Sequence, residues 1–443
     1  MTLLGIGYGY YFSERFFASN KPELVENIFN LLKLFWLVPL PYALLNFFSF
    51  IRYPVINKPL VSQPSFRGEF HGRVYFRYVT RGLNPKLIAA NVDRACQLLS
   101  HVLPPDRWHV EVVTDHELPN VGQLEDHQGL VTVISVPDDY VPPNGTLFKA
   151  RSLHYALGVS AATAEDWLVH LDEETLFDQE TIWAIFNFIE QETTAVGQHQ
   201  RPYPRIGQGI ILYGTHGVVN WMTTLADSIR VGDDYGRFRL QYEHGKAVFG
   251  IHGSFIVVNN GVEQMVGLDH GPAASITEDA YFALYAQSMG VEFGFIHTYM
   301  YEKSPFTVRD FIKQRHRWFG GLWYCVLHNG LPWHDRIVLA TFMVMWSVSW
   351  LCIAMVYINL LYPTGTPVWL AVAGGVSFAY YVTLYLVGYF KTFDWHAGRA
   401  RFLSGLLVQI LFIPIFSLME GAGVLYGLLA PPKGFYIVQK EVD

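Results

Sequence analysis

Charge is scarce in this chain: Asp, Glu, Lys and Arg make up 16% of its 443 residues, against about a quarter in an ordinary soluble protein. Cysteine is scarcer still. Cys96, Cys325 and Cys352 lie far apart and form no C-x-x-C pair, which argues against a disulfide scaffold or thiolate zinc site and fits reduced thiols. No basic stretch followed by a short apolar core and a small-residue cleavage site is present, so a secretory signal peptide is not expected. Fixed-period repeats and low-complexity tracts are missing too, which excludes a solenoid. A net charge of −7 gives nucleic acid no electrostatic reason to bind.

What the chain does have is apolar sequence, 51% of it, gathered at the two ends. Ile28 to Ile51 is long enough to cross a hydrocarbon core of ~30 Å at 1.5 Å per residue, with Lys33 interrupting it and Pro39 and Pro41 predicting a kink. Arg52, Lys58, Arg67 and Arg73 follow, so the positive-inside rule places the next segment in the cytoplasm. Met1 to Phe12 is apolar but too short to span. Ile337 to Tyr362, Val368 to Phe390 and Leu403 to Ala430 are three further runs. Lys391 to Arg401 reads as a cytoplasmic link and Pro363 to Pro367 as an outer turn. The last run contains Pro414 and Glu420; an acid at that depth faces a partner or a polar cavity, or is simply buried in protein. Three full crossings would put the tail, 431–443, outside, whereas a re-entrant last segment would keep it inside.

Between the flanks, strand and helix alternate. Val74 to Thr80, His109 to Thr114, Val131 to Val136 and Trp167 to Leu171 read as strands, Pro85 to Leu103 and Leu147 to Ala162 as helices, and Pro137 to Gly145 as a loop. Alternation of this kind predicts an α/β domain with a mostly parallel sheet, whose ligands sit at the carboxyl ends of its strands. The expected organisation is an N-terminal membrane segment over 1–58, a cytoplasmic catalytic domain over 59–308, an interfacial helical segment over 309–335, transmembrane helices over 336–430 and the tail.

Three motifs fall where ligands would. Trp167 to Leu171 runs into Asp172-Glu173-Glu174, whose alternate acids point the same way and can offer oxygen to one Mg²⁺ or Mn²⁺; a solvated acidic loop would look the same. Thr277-Glu278-Asp279 opens a helix, where an acid is favoured by the dipole in any case, but where a carboxylate could also act as general base. Gln314-Arg315-His316-Arg317-Trp318 puts a cation and an indole beside the membrane; an interfacial helix needs no substrate to explain it. Asp233-Asp234 reads as the solvated end of an amphipathic helix, with acceptor hydroxyls as the other possibility. His252-Gly253-Ser254 reads either as a tight turn or as an acceptor-pocket lining. No histidine is assigned as a metal ligand.

In that order, strand-end D-x-E, then T-E-D, then Q-x-x-R-W before membrane helices, the chain resembles family-two inverting glycosyltransferases of the GT-A fold over nearly its whole length. The resemblance implies a nucleotide-sugar donor, a divalent metal (Mg²⁺ or Mn²⁺) on Asp172 and Glu174, and Asp279 as catalytic base. It implies donor contacts from Thr80, Arg81, Asp115, Lys149, Arg151, Asp172, Gln314, Arg317 and Trp318. Beside the resemblance, acceptor contacts are expected from His252, Gly253, Ser254, Glu278 and Trp318. Glu174 stands where the family more often has Asp. The stretches Tyr78 to Gly82, Trp167 to Leu176, Val218 to Ser228 and Tyr301 to Thr307 resemble the branch that moves β-1,4-mannose from GDP-mannose to glucosylceramide, a membrane glycolipid. The tail Phe435-Tyr436-Ile437-Val438-Gln439-Lys440 resembles a gating loop of that family, with Ile437 and Val438 departing from it. A processive polysaccharide synthase and a catalytically dead membrane scaffold are the competing expectations; the dead scaffold should have lost the acids or Arg317, and this chain has not.

Overall fold

The computed structural model describes residues 2–11, 13, 22–55, 61–65, 68–118, 129–328, 330–432, 434 and 436. Lys58, Arg67, Phe435 and Ile437 to Lys440 lie outside the described residues.

Helix α1 (Thr2–Tyr11) is followed by α2 (Glu23–Lys33) and α3 (Leu40–Arg52). A 3-10 turn, Leu34–Leu37, separates α2 from α3 just before Pro39 and Pro41, as expected where proline withholds a backbone N–H. Lys33, in mid-run, is buried and donates to Thr364 Oγ1 (2.8 Å) and Thr366 Oγ1 (2.6 Å) in the link read as the outer turn. An isolated buried ammonium would be costly; here the hydroxyls satisfy it.

Between the apolar flanks the described residues form a sheet of seven strands: β1 (Val74–Thr80), β2 (Trp108–Thr114), β3 (Val131–Ser135), β4 (Trp167–Asp172), β5 (Ile206–Tyr213), β6 (Ile256–Asn259) and β7 (Phe293–Glu302). Their order is β3-β2-β1-β4-β6-β5-β7. Only β6 runs antiparallel to its neighbours, so the sheet is mostly parallel. Helices α4 (Pro85–Val102), α5 (Phe148–Val159) and α6 (Gln179–Gly197) are the crossovers parallel strands require. Strands β1 and β2 are buried along their whole length. The charges buried with them are paired, Arg77 with Glu111 (2.8 Å) and His170 with Glu263 (3.1 Å). All three cysteines are free.

After β5 comes α7 (Trp221–Asp233), and after β6 comes α8 (Glu278–Ser288). Beyond β7, α9 (Val308–Leu327) carries the Q-x-x-R-W motif, then α10 (Trp333–Leu361), α11 (Val368–Thr392) and α12 (Arg399–Leu429) close the fold. Among the described residues, the span Glu23–Arg52 and α10, α11 and α12 are four helices long and apolar enough to cross a membrane. Helix α7 lies against α11 through glycines: a Cβ on Gly232 or Gly388 would overlap the backbone carbonyls of Leu384 or Ser228.

Helix α12 is continuous for 31 residues with Pro414 inside it, about 46 Å at 1.5 Å per residue. Its far end nevertheless meets α9: His316 Nε2 bonds Ala430 O (2.6 Å), Tyr324 bonds Pro432 O (3.2 Å), and Tyr436 bonds Asp310 (2.5 Å).

Candidate active site

The carboxyl ends of β2, β1 and β4 stand side by side, since Thr80 pairs with Thr114 and Val79 with Asp172 in register. Adjacent strands are ~4.8 Å apart, so Asp115, Thr80 and Asp172 line one short edge. Strand β4 ends at Asp172, and it is the turn after it, not strand alternation, that sends the middle acid of Asp172-Glu173-Glu174 away. Thr80 Oγ1 (2.5 Å) and Asn84 Nδ2 (2.7 Å) both donate to Glu173, while Asp172 and Glu174 face a cavity of about 760 Å³.

That cavity gathers most of the residues singled out from sequence. Lys149, Asp172, Glu174, His252, Gly253, Ser254, Glu278, Asp279, Gln314, Arg317 and Trp318 all line it. It continues between the apolar helices, past Trp346, Ile353 and Tyr357 of α10 and Gly374, Phe378 and Tyr381 of α11. Thr80, Arg81, Asp115 and Arg151 are not in its lining. Asp115 instead accepts from Ser152 Oγ (2.5 Å) and Arg151 Nη1 (3.2 Å), forming a polar cluster further along the same sheet edge.

Lys149, near the start of α5, ties the edge together. Its Nζ donates to Asp172 Oδ1 (2.5 Å) and Gly253 O (2.7 Å) and lies 4.0 Å from Glu278. Burial pulls the ammonium's pKa down, but Asp172, Glu278 and Asp279 outweigh it and leave it raised. Phe148 before it and Phe255 after Ser254 both have left-handed φ, 55° and 58°, a strained setting that recurs at functional sites. Gly253 is needed for close approach, because a Cβ there would sit 3.0 Å from Asp279 Oδ2.

Glu278 and Asp279 occupy the first turn of α8, where Asp279 Oδ1 accepts from Ala280 N (2.8 Å). Burial pushes Glu278 up to about 7, aided by the adjacent Asp279. Burial also raises Asp279, against the pull of Lys149, Arg317 and His252. Two neighbouring acids held above the usual carboxylate range suit a group that must take a proton near neutral pH. Arg317 bonds Ile276 O (3.3 Å) and lies close enough to all three acids, Glu278, Asp279 and Asp172, to feel their charge.

Asp172 and Glu174 are oxygen donors of the kind a hard divalent cation takes. Among the described residues no group of three or more His, Cys, Asp and Glu is placed to hold a metal.

The structure adds residues that sequence reasoning did not assign. Glu302, ending β7, accepts from Thr175 Oγ1 (2.9 Å) and Ser254 Oγ, and faces the cavity. Burial raises its pKa, with Asp172 adding to the effect. Arg230 of α7 also lines it. Asp233 and Asp234 are not a solvated helix end: Asp233 holds Arg237 (2.6 Å) and buried Asp234 holds His252 Nε2 (2.5 Å). The signal lay in the same stretch, where Arg230 and Arg237 bracket the acids in a helix too apolar to be wholly wet. Glu420 pairs with Arg315 (2.8 Å) at the cavity wall, so the intramembrane acid has both a partner and a cavity.

Residues 167–392 match the family model of the glycosyl transferase family 2 group. The β-1,4-mannosyltransferase egh of Drosophila melanogaster is 35% identical over 425 residues, covering 95% of this chain and 89% of its own. The β-1,4-mannosyltransferase bre-3 of Caenorhabditis elegans is 36% identical over 384 residues, covering 84% and 79%. Among solved structures, S. aureus TarS 1–349 in complex with UDP aligns at a TM-score of 0.35 and 11% identity, over 66% of this chain and 72% of that one. With relatives of this identity along nearly all its length, the chain belongs to glycosyltransferase family 2 and is a glycosyltransferase.

Proposed function

We propose that the protein transfers one mannose from GDP-mannose to a glucosyl-terminated membrane glycolipid, forming a β-1,4 link with inversion. The observation that carries this reading is the continuity of the cavity, from Asp172, Glu278 and Asp279 to the space between α10 and α11. A sugar borne on a lipid can meet the acids while its tail stays among apolar side chains. The sugar and linkage follow the names of the relatives, which are β-1,4-mannosyltransferases.

In this reading Asp279 accepts the acceptor hydroxyl proton as that oxygen attacks the anomeric carbon from the face opposite the diphosphate. The bond to the phosphate oxygen breaks, GDP leaves, and the α-linked donor becomes a β-linked product. Arg317 and Lys149 offset the charge that develops on the departing diphosphate, the fixed electrostatic support such a step needs. Asp172 and Glu174 would hold a divalent cation, Mg²⁺ or Mn²⁺, which when bound supplies further positive charge at the phosphates. Thr80, Arg81, Asp115 and Arg151 cradle the nucleoside, Gln314 and Trp318 close the donor side, and His252, Gly253, Ser254, Glu278 and Trp318 face the acceptor. The catalytic part, 59–308, is cytoplasmic and the flanking helices anchor it.

Purified protein given GDP-mannose, Mg²⁺ or Mn²⁺ and glucosylceramide should yield a lipid heavier by one hexose in mass spectra. No product, or a ladder of polymer, counts against the reading. Asp279→Asn should lower turnover by about 10²- to 10⁴-fold while donor binding persists; retained turnover removes Asp279 from its role.

A further inference from the structure

Arg315 is one of the two unspecified positions in Q-x-x-R-W, yet it is the most constrained residue of the motif. Its side chain is 1% exposed. Nη2 donates to Asp227 of α7 (2.5 Å), Nε to Glu420 of α12 (2.8 Å) and Nη1 to Gln314 (2.7 Å). The guanidinium also lies over two rings of its own helix, Phe311 at 4.0 Å and Trp318 at 4.5 Å. Trp318 carries a second guanidinium, Arg230 at 4.5 Å, which itself lies 4.4 Å from Tyr213 at the end of β5. A chain of ring and cation contacts thus runs from the sheet to α9 through Tyr213, Arg230, Trp318, Arg315 and Phe311. Helix α12 comes close enough to complete it only because Gly423 and Gly427 leave room for Arg315 and Phe319.

Charge neutralisation alone does not account for this arrangement. One carboxylate would balance one guanidinium, and burying a second costs free energy unless the geometry repays it. The second, Glu420, comes from the apolar helix α12, and its effect is to fix the plane of the guanidinium between Gln314 and Trp318. A planar, forked cation can bond one neighbour in its plane and stack on another; an ammonium cannot. We propose that Arg315 is a positioning residue that sets Trp318 as the acceptor-side wall of the cavity, with Glu420, Asp227 and Gln314 holding it in orientation. This rests on the reading that Trp318 faces the acceptor.

The test is steady-state kinetics with a lipid acceptor, on Arg315→Lys, Glu420→Gln, Trp318→Ala and the double variant Arg315→Lys with Trp318→Ala. Arg315→Lys keeps the charge and loses the plane. It should raise the acceptor KM roughly three- to thirty-fold, the range a cation–π contact spans, with kcat and the donor KM unchanged. In the Trp318→Ala background the same change should add nothing, since Arg315 acts through that ring. An unaltered acceptor KM, a parallel fall in every parameter, or full additivity would overturn the proposal. Should Arg315→Lys fail to fold, Glu420→Gln must show the same acceptor-selective rise, and its failure to do so is equally decisive. If Trp318→Ala itself leaves the acceptor KM at the wild-type value, the reading of Trp318 falls, and this proposal with it. If Trp318→Ala raises that KM and Arg315→Lys does not, this proposal alone falls.

Discussion

At the scale of residues, the structure holds two buried acids at the cavity, and burial raises both Asp279 and Glu278, the latter to about 7. Asp279, as the proposed base, acts only when ionised, so the transfer rate should fall by about tenfold per unit as pH drops below its raised pKa, which a pH–rate profile checks. Stability follows with a definite sign. A carboxyl whose folded pKa is raised favours the fold below the ordinary carboxylate value and loses that advantage as pH rises through about 7. Glu278→Gln should accordingly raise Tm at pH 8 and leave it unaltered near pH 4. Part of this was legible, because a buried strand running into acids puts Asp172 at the sheet edge and T-E-D at a helix start fixes where its acids point. Arg315, Glu302 and Asp234 were not, since their partners lie 18 to 105 positions away, where no local pattern reveals them: Asp234 bonds His252, Glu302 bonds Ser254, and Arg315 bonds Asp227 and Glu420.

At the scale of elements, sequence pattern found β1 to β4 and the helices α4 and α5, though not α6, because each is a run bounded by turn residues. It did not yield β5, β6 or β7, nor the antiparallel insertion of β6, which follows from tertiary pairing rather than from composition. The close approach of α7 to α11 was equally hidden, since a glycine in an apolar helix carries no record of what it faces. Gly388→Ala would drive a methyl into the backbone of Ser228. It should cost about 1–3 kcal/mol, the usual range for overpacking. Thermal unfolding in detergent checks this, and Gly7→Ala, which meets open space, is the control. The kink before α3 was legible from Pro39 and Pro41 alone.

For the whole molecule, four apolar helices and a mostly parallel sheet were both expected from the sequence, and the cavity that joins them was not. Its position follows from how α9, α10 and α11 meet over the strand ends, which only the assembled chain specifies. The tail contacts with α9 place the far end of α12 beside the catalytic part. A cysteine at Gly434 should thus be labelled from the same side of a vesicle as one at the exposed Gln200. The most direct test of the joined cavity uses a glycolipid acceptor bearing a photoreactive group in its acyl chain, irradiated in the presence of donor. Crosslinks at Ile353, Tyr357 or Phe378 on protein that also glycosylates the lipid are the predicted result. Crosslinks confined to the outward faces of α10 and α12, with a lipid-free glucoside accepted equally well, would contradict it.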